Sequence, residues 1–155
     1  MEQVALEWHG PFPVGENGWA AHDLMDETMG IYLFLDSSWD DERQRWFGHE
    51  LLRVGLTFDQ SFADRLSQYK YDDVGRWLAR NARGNLTVKV ARVAPIDQGR
   101  ITYPLVADIE NLLIAALQPP GNIQGTRSYT GRELEIINSR KFSPLPEVLS
   151  TDDLR

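Results

Sequence analysis

Apolar residues along this chain follow two rhythms, one of period two and one close to 3.6. In "MGIYLFL" the run Gly30–Leu35 is apolar on both faces, as in a strand buried in the middle of a sheet. Further on, Leu51–Leu56 alternates: Leu52, Val54 and Leu56 face one way, while Leu51, Arg53 and Gly55 face the other. These two runs predict an antiparallel hairpin, joined by a long acidic loop that contains "DSSWDDERQRW" and is anchored by Trp39 and Trp46. Val4–Trp8 alternates weakly and predicts an edge strand, stopped by the turn-rich "HGPFPVGENG". "LTVKVARV" (Leu86–Val93) predicts a third strand, and Leu134–Ile137 a closing one.

The helical rhythm begins in "FDQSFADRLSQYKY", where Phe62, Leu66 and Tyr69 stand at i, i+4 and i+7 behind Asp59 as N-cap. A second short helix is expected over Val74–Ala82. The longest covers Tyr103–Leu117 and ends at "QPPGN", where two prolines and a glycine forbid continuation. Strands interspersed with helices make the expected class α+β: a small antiparallel sheet of three to five strands flanked by helices. One domain is expected over residues 1–155, with 1–29 an acidic N-terminal extension, 30–122 the core, and 123–155 a closing strand and tail.

Four hydrophilic side chains interrupt these apolar patterns. At 100° per residue, Leu105, Val106, Ile109, Leu112, Leu113, Ala116 and Leu117 form one stripe of the long helix, and Glu110 falls inside it. A carboxylate there must be paired, bind a metal or take up a proton, because isolated burial of its charge is costly. A Glu–Arg tie between two elements is one solution. Arg65 flanks the Phe62–Leu66–Tyr69 stripe, where a snorkelling side chain is the ordinary case. Tyr32 shares a strand face with Phe34 and can be a packed core ring. Arg53 sits amid "ELLRVGL", with Gly55 on the same face, and a strand glycine often marks close approach of a ligand or another backbone. Taken together, one tyrosine, two arginines and one glutamate are the ingredients of phosphoryl chemistry: a base, cations for developing charge, and a hard oxygen ligand for Mg²⁺.

Composition narrows the picture. With 155 residues and 42% hydrophobic content, the chain can build one real core. No run approaches the roughly 18 uncharged apolar residues of a membrane span, and the acidic, proline-broken start does not resemble a signal peptide. The absence of cysteine excludes disulfides, thiolate zinc sites and a cysteine nucleophile, and agrees with a cytoplasmic protein. His9, His22 and His49 lack zinc spacing, and "HDLMDE" reads as an exposed acidic turn. A formal net charge of −7 argues against a nucleic-acid partner. Its distribution argues otherwise, because the first 42 residues hold ten acids and no Lys or Arg, leaving 16 basic residues against 13 acids beyond. Thirteen of those bases are arginines, suited to forked contacts with phosphate. The acidic segment could fold over the basic remainder and shield a phosphate site.

The order of these residues resembles the GIY-YIG nuclease family. "GIY" stands at Gly30-Ile31-Tyr32, and "RVG" at Arg53-Val54-Gly55 where the family has tyrosine–aliphatic–glycine. "FADRLSQY" supplies the helical arginine as Arg65, and "IENLLIAALQPPGN" supplies Glu110 and Asn122 in the family's later positions. The resemblance covers roughly Gly30 to Asn122. It implies hydrolysis of phosphodiester bonds in nucleic acid, with DNA the expected substrate, and one divalent cation, Mg²⁺ or Mn²⁺, on Glu110. It also implies that Tyr32 orients or deprotonates water, Arg65 stabilises phosphate charge, Asn122 braces the site, and Gly55 lets substrate approach. Arg53 replaces the second tyrosine and cannot be a base, since it stays protonated, but it can neutralise phosphate. The alternative is a module that has lost cleavage and kept binding, to nucleic acid or to a protein partner. A third reading makes the acidic N-terminal surface the recognising element of a structural protein.

Overall fold

The computed structural model describes residues 1–14, 23–96, 99–122 and 128–155, with only the backbone of Asp23 and Leu24. Six strands run through it: β1 (Glu2–Pro13), β2 (Met29–Asp40), β3 (Arg45–Phe58), β4 (Asn85–Pro95), β5 (Leu134–Ser139) and β6 (Val148–Ser150). The helices are α1 (Phe62–Ser67), α2 (Asp73–Asn81) and α3 (Tyr103–Leu117). The strands form one sheet of order β3-β2-β4-β1-β5-β6, curled into a half-barrel, in which β1 and β5 are parallel and the other neighbours antiparallel.

This architecture overturns the expected small antiparallel sheet of three to five strands. The chain is mixed α/β, 42% strand and 28% helix, and the sheet rather than the helices dominates. Two local misreadings produced the error. The acidic connection is largely strand: β2 extends to Asp40, β3 starts at Arg45, and only Asp41–Gln44 turn. The N-terminal run is an interior strand, lying between β4 and β5. Val4, Leu6 and Trp8 are fully buried while the Glu7 side chain is 48% exposed, so its solvated residues mimicked an edge. Glu2–Pro13 therefore belongs to the sheet and is no detachable shield. His22 of "HDLMDE" lies outside the described residues.

Side chains alternate across the sheet, and each face carries a core. On one, Ile31, Leu33, Leu35 and Val54 meet the apolar stripe of α3, whose Leu105, Val106, Ile109, Leu112, Leu113 and Ile114 are buried. On the other, Tyr32, Phe34, Val88 and Val90 pack against Phe62 and Leu66 of α1, Tyr69 beyond it, and Leu78 of α2. Helix α3 begins where Thr102 accepts a hydrogen bond from the Leu105 N–H and ends at a left-handed Gln118. Helix α1 is capped by Ser61, not Asp59, because Asp59 occupies a left-handed turn leaving β3. Helix α2 spans Asp73–Asn81, one residue earlier at each end than expected, with Asp72 as its cap. No helix among the described residues is long and apolar enough to cross a membrane.

Candidate functional site around the edge of the sheet

Strand β3 is an edge strand, and its outer backbone groups need partners. The turn after α3 provides them. Gly121 N–H donates to the Leu52 carbonyl at 2.7 Å. The Asn122 side chain then imitates a strand: its Oδ1 accepts from Val54 N–H at 2.8 Å and its Nδ2 donates to Val54 C=O at 2.9 Å. One residue pair further along, Glu110 accepts a backbone hydrogen bond from Leu56. An edge position lets groups from both sheet faces meet, α3 reaching round from one side and α1 from the other.

Four of the six residues singled out from sequence converge here. Tyr32 projects from β2 on the α1 side, and its hydroxyl lies 2.5 Å from that of Tyr69. Arg53, on the same face of β3, donates from Nε to the Tyr69 hydroxyl at 3.4 Å and from Nη1 to the Gly121 carbonyl at 2.6 Å. Arg65, on α1, donates from Nη2 to the same hydroxyl at 3.3 Å. Both guanidiniums also stand over the Tyr69 ring, 5.8 Å and 5.1 Å from its centroid, within cation–π range. Glu110 feels both arginines.

Gly55 and Asn122 have places there too, but in packing. Gly55 is the cross-strand partner of Tyr32, and a Cβ on it would overlap the Tyr32 ring and hydroxyl. The close approach that this glycine permits is that of the chain's own tyrosine, in place of the expected substrate. Asn122 braces the edge of β3, in keeping with a supporting role.

Electrostatics separate the candidates. Burial pushes Glu110 up to about 7, against the opposing pull of Arg53, Arg65 and the Leu56 hydrogen bond. Among the described residues Glu110 closes no direct ion pair, so the anticipated Glu–Arg tie is a through-space attraction only. Tyr32 is fully buried, and burial, followed by the neighbouring Tyr69, raises its hydroxyl well above the ordinary phenol value. That opposes a role for Tyr32 as an unaided base.

Tyr69 is the residue that sequence reasoning placed in the core stripe without a chemical role. Its oxygen is the hub of the cluster, approached by another phenol and two permanent cations. The available signal was its spacing four residues after Arg65 on one helical face. Among the described residues no group of three or more His, Asp or Glu side chains is placed to hold a metal ion. Glu110 is therefore a single oxygen donor. That suffices for Mg²⁺ only where water and substrate phosphate complete the coordination.

Comparisons with protein-family models, with curated proteins and with solved structures find no match to this chain.

Proposed function

We propose that the chain is a divalent-metal-dependent nuclease of the cytoplasm that hydrolyses phosphodiester bonds, with DNA as its substrate. The observation that carries this reading is the meeting of Arg53, Arg65, Tyr69 and Glu110, from separate elements, around one edge of the sheet. The set is close to the one ordered by the GIY-YIG nucleases, set on a larger sheet, with Tyr69 supplying the second phenol that Arg53 displaces.

Each side chain has a defined part. Arg53 and Arg65 bind the scissile phosphate and offset charge developing on its oxygens. Tyr69 orients the attacking water, whose oxygen bonds to phosphorus as the bond to the leaving sugar oxygen breaks, the water's proton passing to solvent and the leaving oxygen taking one from it. The buried Tyr32 hydroxyl, in contact with it, holds the Tyr69 oxygen in place. Glu110 would hold Mg²⁺ or Mn²⁺, which when bound supplies further neutralisation of phosphate charge. Asn122 and Gly121 keep β3, and so Arg53, in register with the site.

The test is incubation of purified protein with supercoiled, linear and branched DNA, and with RNA, in the presence of Mg²⁺ or Mn²⁺. Expected is cleavage lowered at least about 100-fold by Arg65→Ala and by Glu110→Ala, with folding retained. A second reading, a phosphate-binding module without cleavage, is favoured by one observation: Tyr32 is fully buried, with its proton held tightly. Salt-sensitive retention of nucleic acid without cleavage of any substrate would select it.

A further inference from the structure

A cavity of about 590 Å³ lies at the far end of the β2–β3 hairpin, away from the arginine–tyrosine cluster. Three tryptophans share its lining, Trp8, Trp39 and Trp46, the last two rings in an edge-to-face pair whose centroids are 5.0 Å apart. Trp39 is 42% exposed, so this pair is no core contact. The same lining holds four basic side chains, Arg45, Lys89, Lys141 and Arg140. Among the described residues no Asp or Glu lines it. In a chain of net charge −7 that is a marked local reversal.

Lys89 gives the cavity its chemistry. It pairs across the sheet with Leu33, so it projects from the face opposite Tyr32 and the arginine cluster. The residue is 1% exposed, yet among the described residues no carboxylate pairs with it. Instead its ammonium donates to the carbonyls of Lys141 and Ser143, at 2.5 and 2.7 Å, in the loop between β5 and β6. Two carbonyls satisfy two of the three N–H donors but leave the charge uncompensated. Burial, with Lys141 nearby, lowers the Lys89 pKa to about 8, and an anion bound beside it would offset the cost of its charge. Neighbouring charges do not provide one. Glu7 pairs with Arg140 at 3.1 Å and with His9 at 3.6 Å, and does not line the cavity. His49 is tied through Nδ1 to Ser37.

We infer that this cavity binds a nucleoside phosphate, its phosphate against Lys89 and Lys141, with Arg45 further along the lining adding to the attraction, and its base against the tryptophans. Basic side chains and flat rings in one lining suit the two halves of that ligand. The ligand chemistry has two sources, a free mononucleotide or one unit of a single strand. The inference does not depend on cleavage at the arginine–tyrosine cluster.

The test is titration of the full-length chain with adenosine 5′-monophosphate, adenosine, ribose 5-phosphate and an oligothymidylate, followed by calorimetry and tryptophan fluorescence. Adenosine 5′-monophosphate should bind with a Kd below about 1 mM and at least about tenfold tighter than adenosine or ribose 5-phosphate. Lys89→Met should weaken it at least about tenfold. Arg45→Gln and Trp39→Ala, both at exposed positions, should each weaken it about fivefold and serve if Lys89→Met does not fold. An oligomer that binds more than about tenfold tighter, with the same sensitivities, identifies a strand as the source, and equal or weaker binding identifies the free nucleotide. The inference is overturned if no compound binds, if adenosine or ribose 5-phosphate binds as tightly as the nucleotide, or if the folded variants bind as the wild type does.

Discussion

Replacing Glu110 with glutamine should stabilise the protein at alkaline pH and do so by an amount the structure sets. In the unfolded chain the carboxyl ionises near 4.5, whereas burial on α3 raises it to about 7 in the fold. Below the lower value both states are protonated and the group is neutral to stability. Between the two, the folded form holds a proton that the unfolded form has lost, so stability falls as pH rises; above about 7 the full penalty applies. At about 1.4 kcal/mol per tenfold, the interval corresponds to about 3 kcal/mol. Glutamine keeps an oxygen for the Leu56 hydrogen bond and has no charge to bury. Urea unfolding of both proteins between about pH 4 and pH 8 should show the variant's advantage widening by about 3 kcal/mol, chiefly between pH 4.5 and 7. A flat difference would refute burial as the dominant influence. A difference that shrinks with rising pH would mean that Arg53 and Arg65 outweigh burial.

Gly55→Ala should cost about 2–3 kcal/mol, or roughly 5–10 °C in Tm, because its Cβ meets a fully buried Tyr32 ring; combining it with Tyr32→Leu should recover part of that loss in thermal melts. Asn122→Ala should cost about 2–4 kcal/mol in chemical denaturation, since it strands the buried N–H and C=O of Val54. Tyr69→Phe should lower the proposed nuclease turnover by about 100-fold in a DNA-cleavage assay, and equal turnover would remove the phenol from the proposed mechanism. Mn²⁺ binding, followed by paramagnetic relaxation, should strengthen as pH rises through about 7, where Glu110 loses its proton, and should be lost in Glu110→Gln.

What could be seen in the sequence was whatever local periodicity controls. Helix α3 begins and ends where its apolar stripe and the following "QPPGN" place it, and Glu110 stood out because one charge broke that stripe. The fold class was lost to long-range pairing. Nothing within Glu2–Pro13 says that β4 and β5 will both bond to it, since strand neighbours distant in sequence leave no local pattern. The length of β2 and β3 was hidden similarly: charged residues in "DSSWDDERQRWFGHE" suit a loop, but also a hairpin extending into solvent. Tyr69 was visible as an apolar-stripe residue, and its role arises only from partners on β2, β3 and α1. Lys89 carried a legible signal in "LTVKVARV", a lysine among strand valines, whose meaning depended on a loop more than 50 residues away.

The edge of β3 distinguishes a structural cluster from a chemical one. Covering an edge strand requires only hydrogen-bond partners, and Gly121 and Asn122 already supply them with uncharged groups. A glutamine at position 110 would extend that cover without burying a charge. The chain instead places a carboxylate there and sets two guanidiniums beside it, which burial prevents it from neutralising fully near pH 7. The cluster thus keeps a positive excess of one to two charges, depending on the Glu110 proton, in a molecule whose total is −7. Arg53 and Arg65 also hold the fold together, through the Gly121 carbonyl, Gln68 and the Tyr69 hydroxyl, but these partners are uncharged and leave the excess in place. The proposed nucleic-acid substrate would use that charge, since its phosphate is an anion that a pair of forked guanidiniums beside a phenol suits.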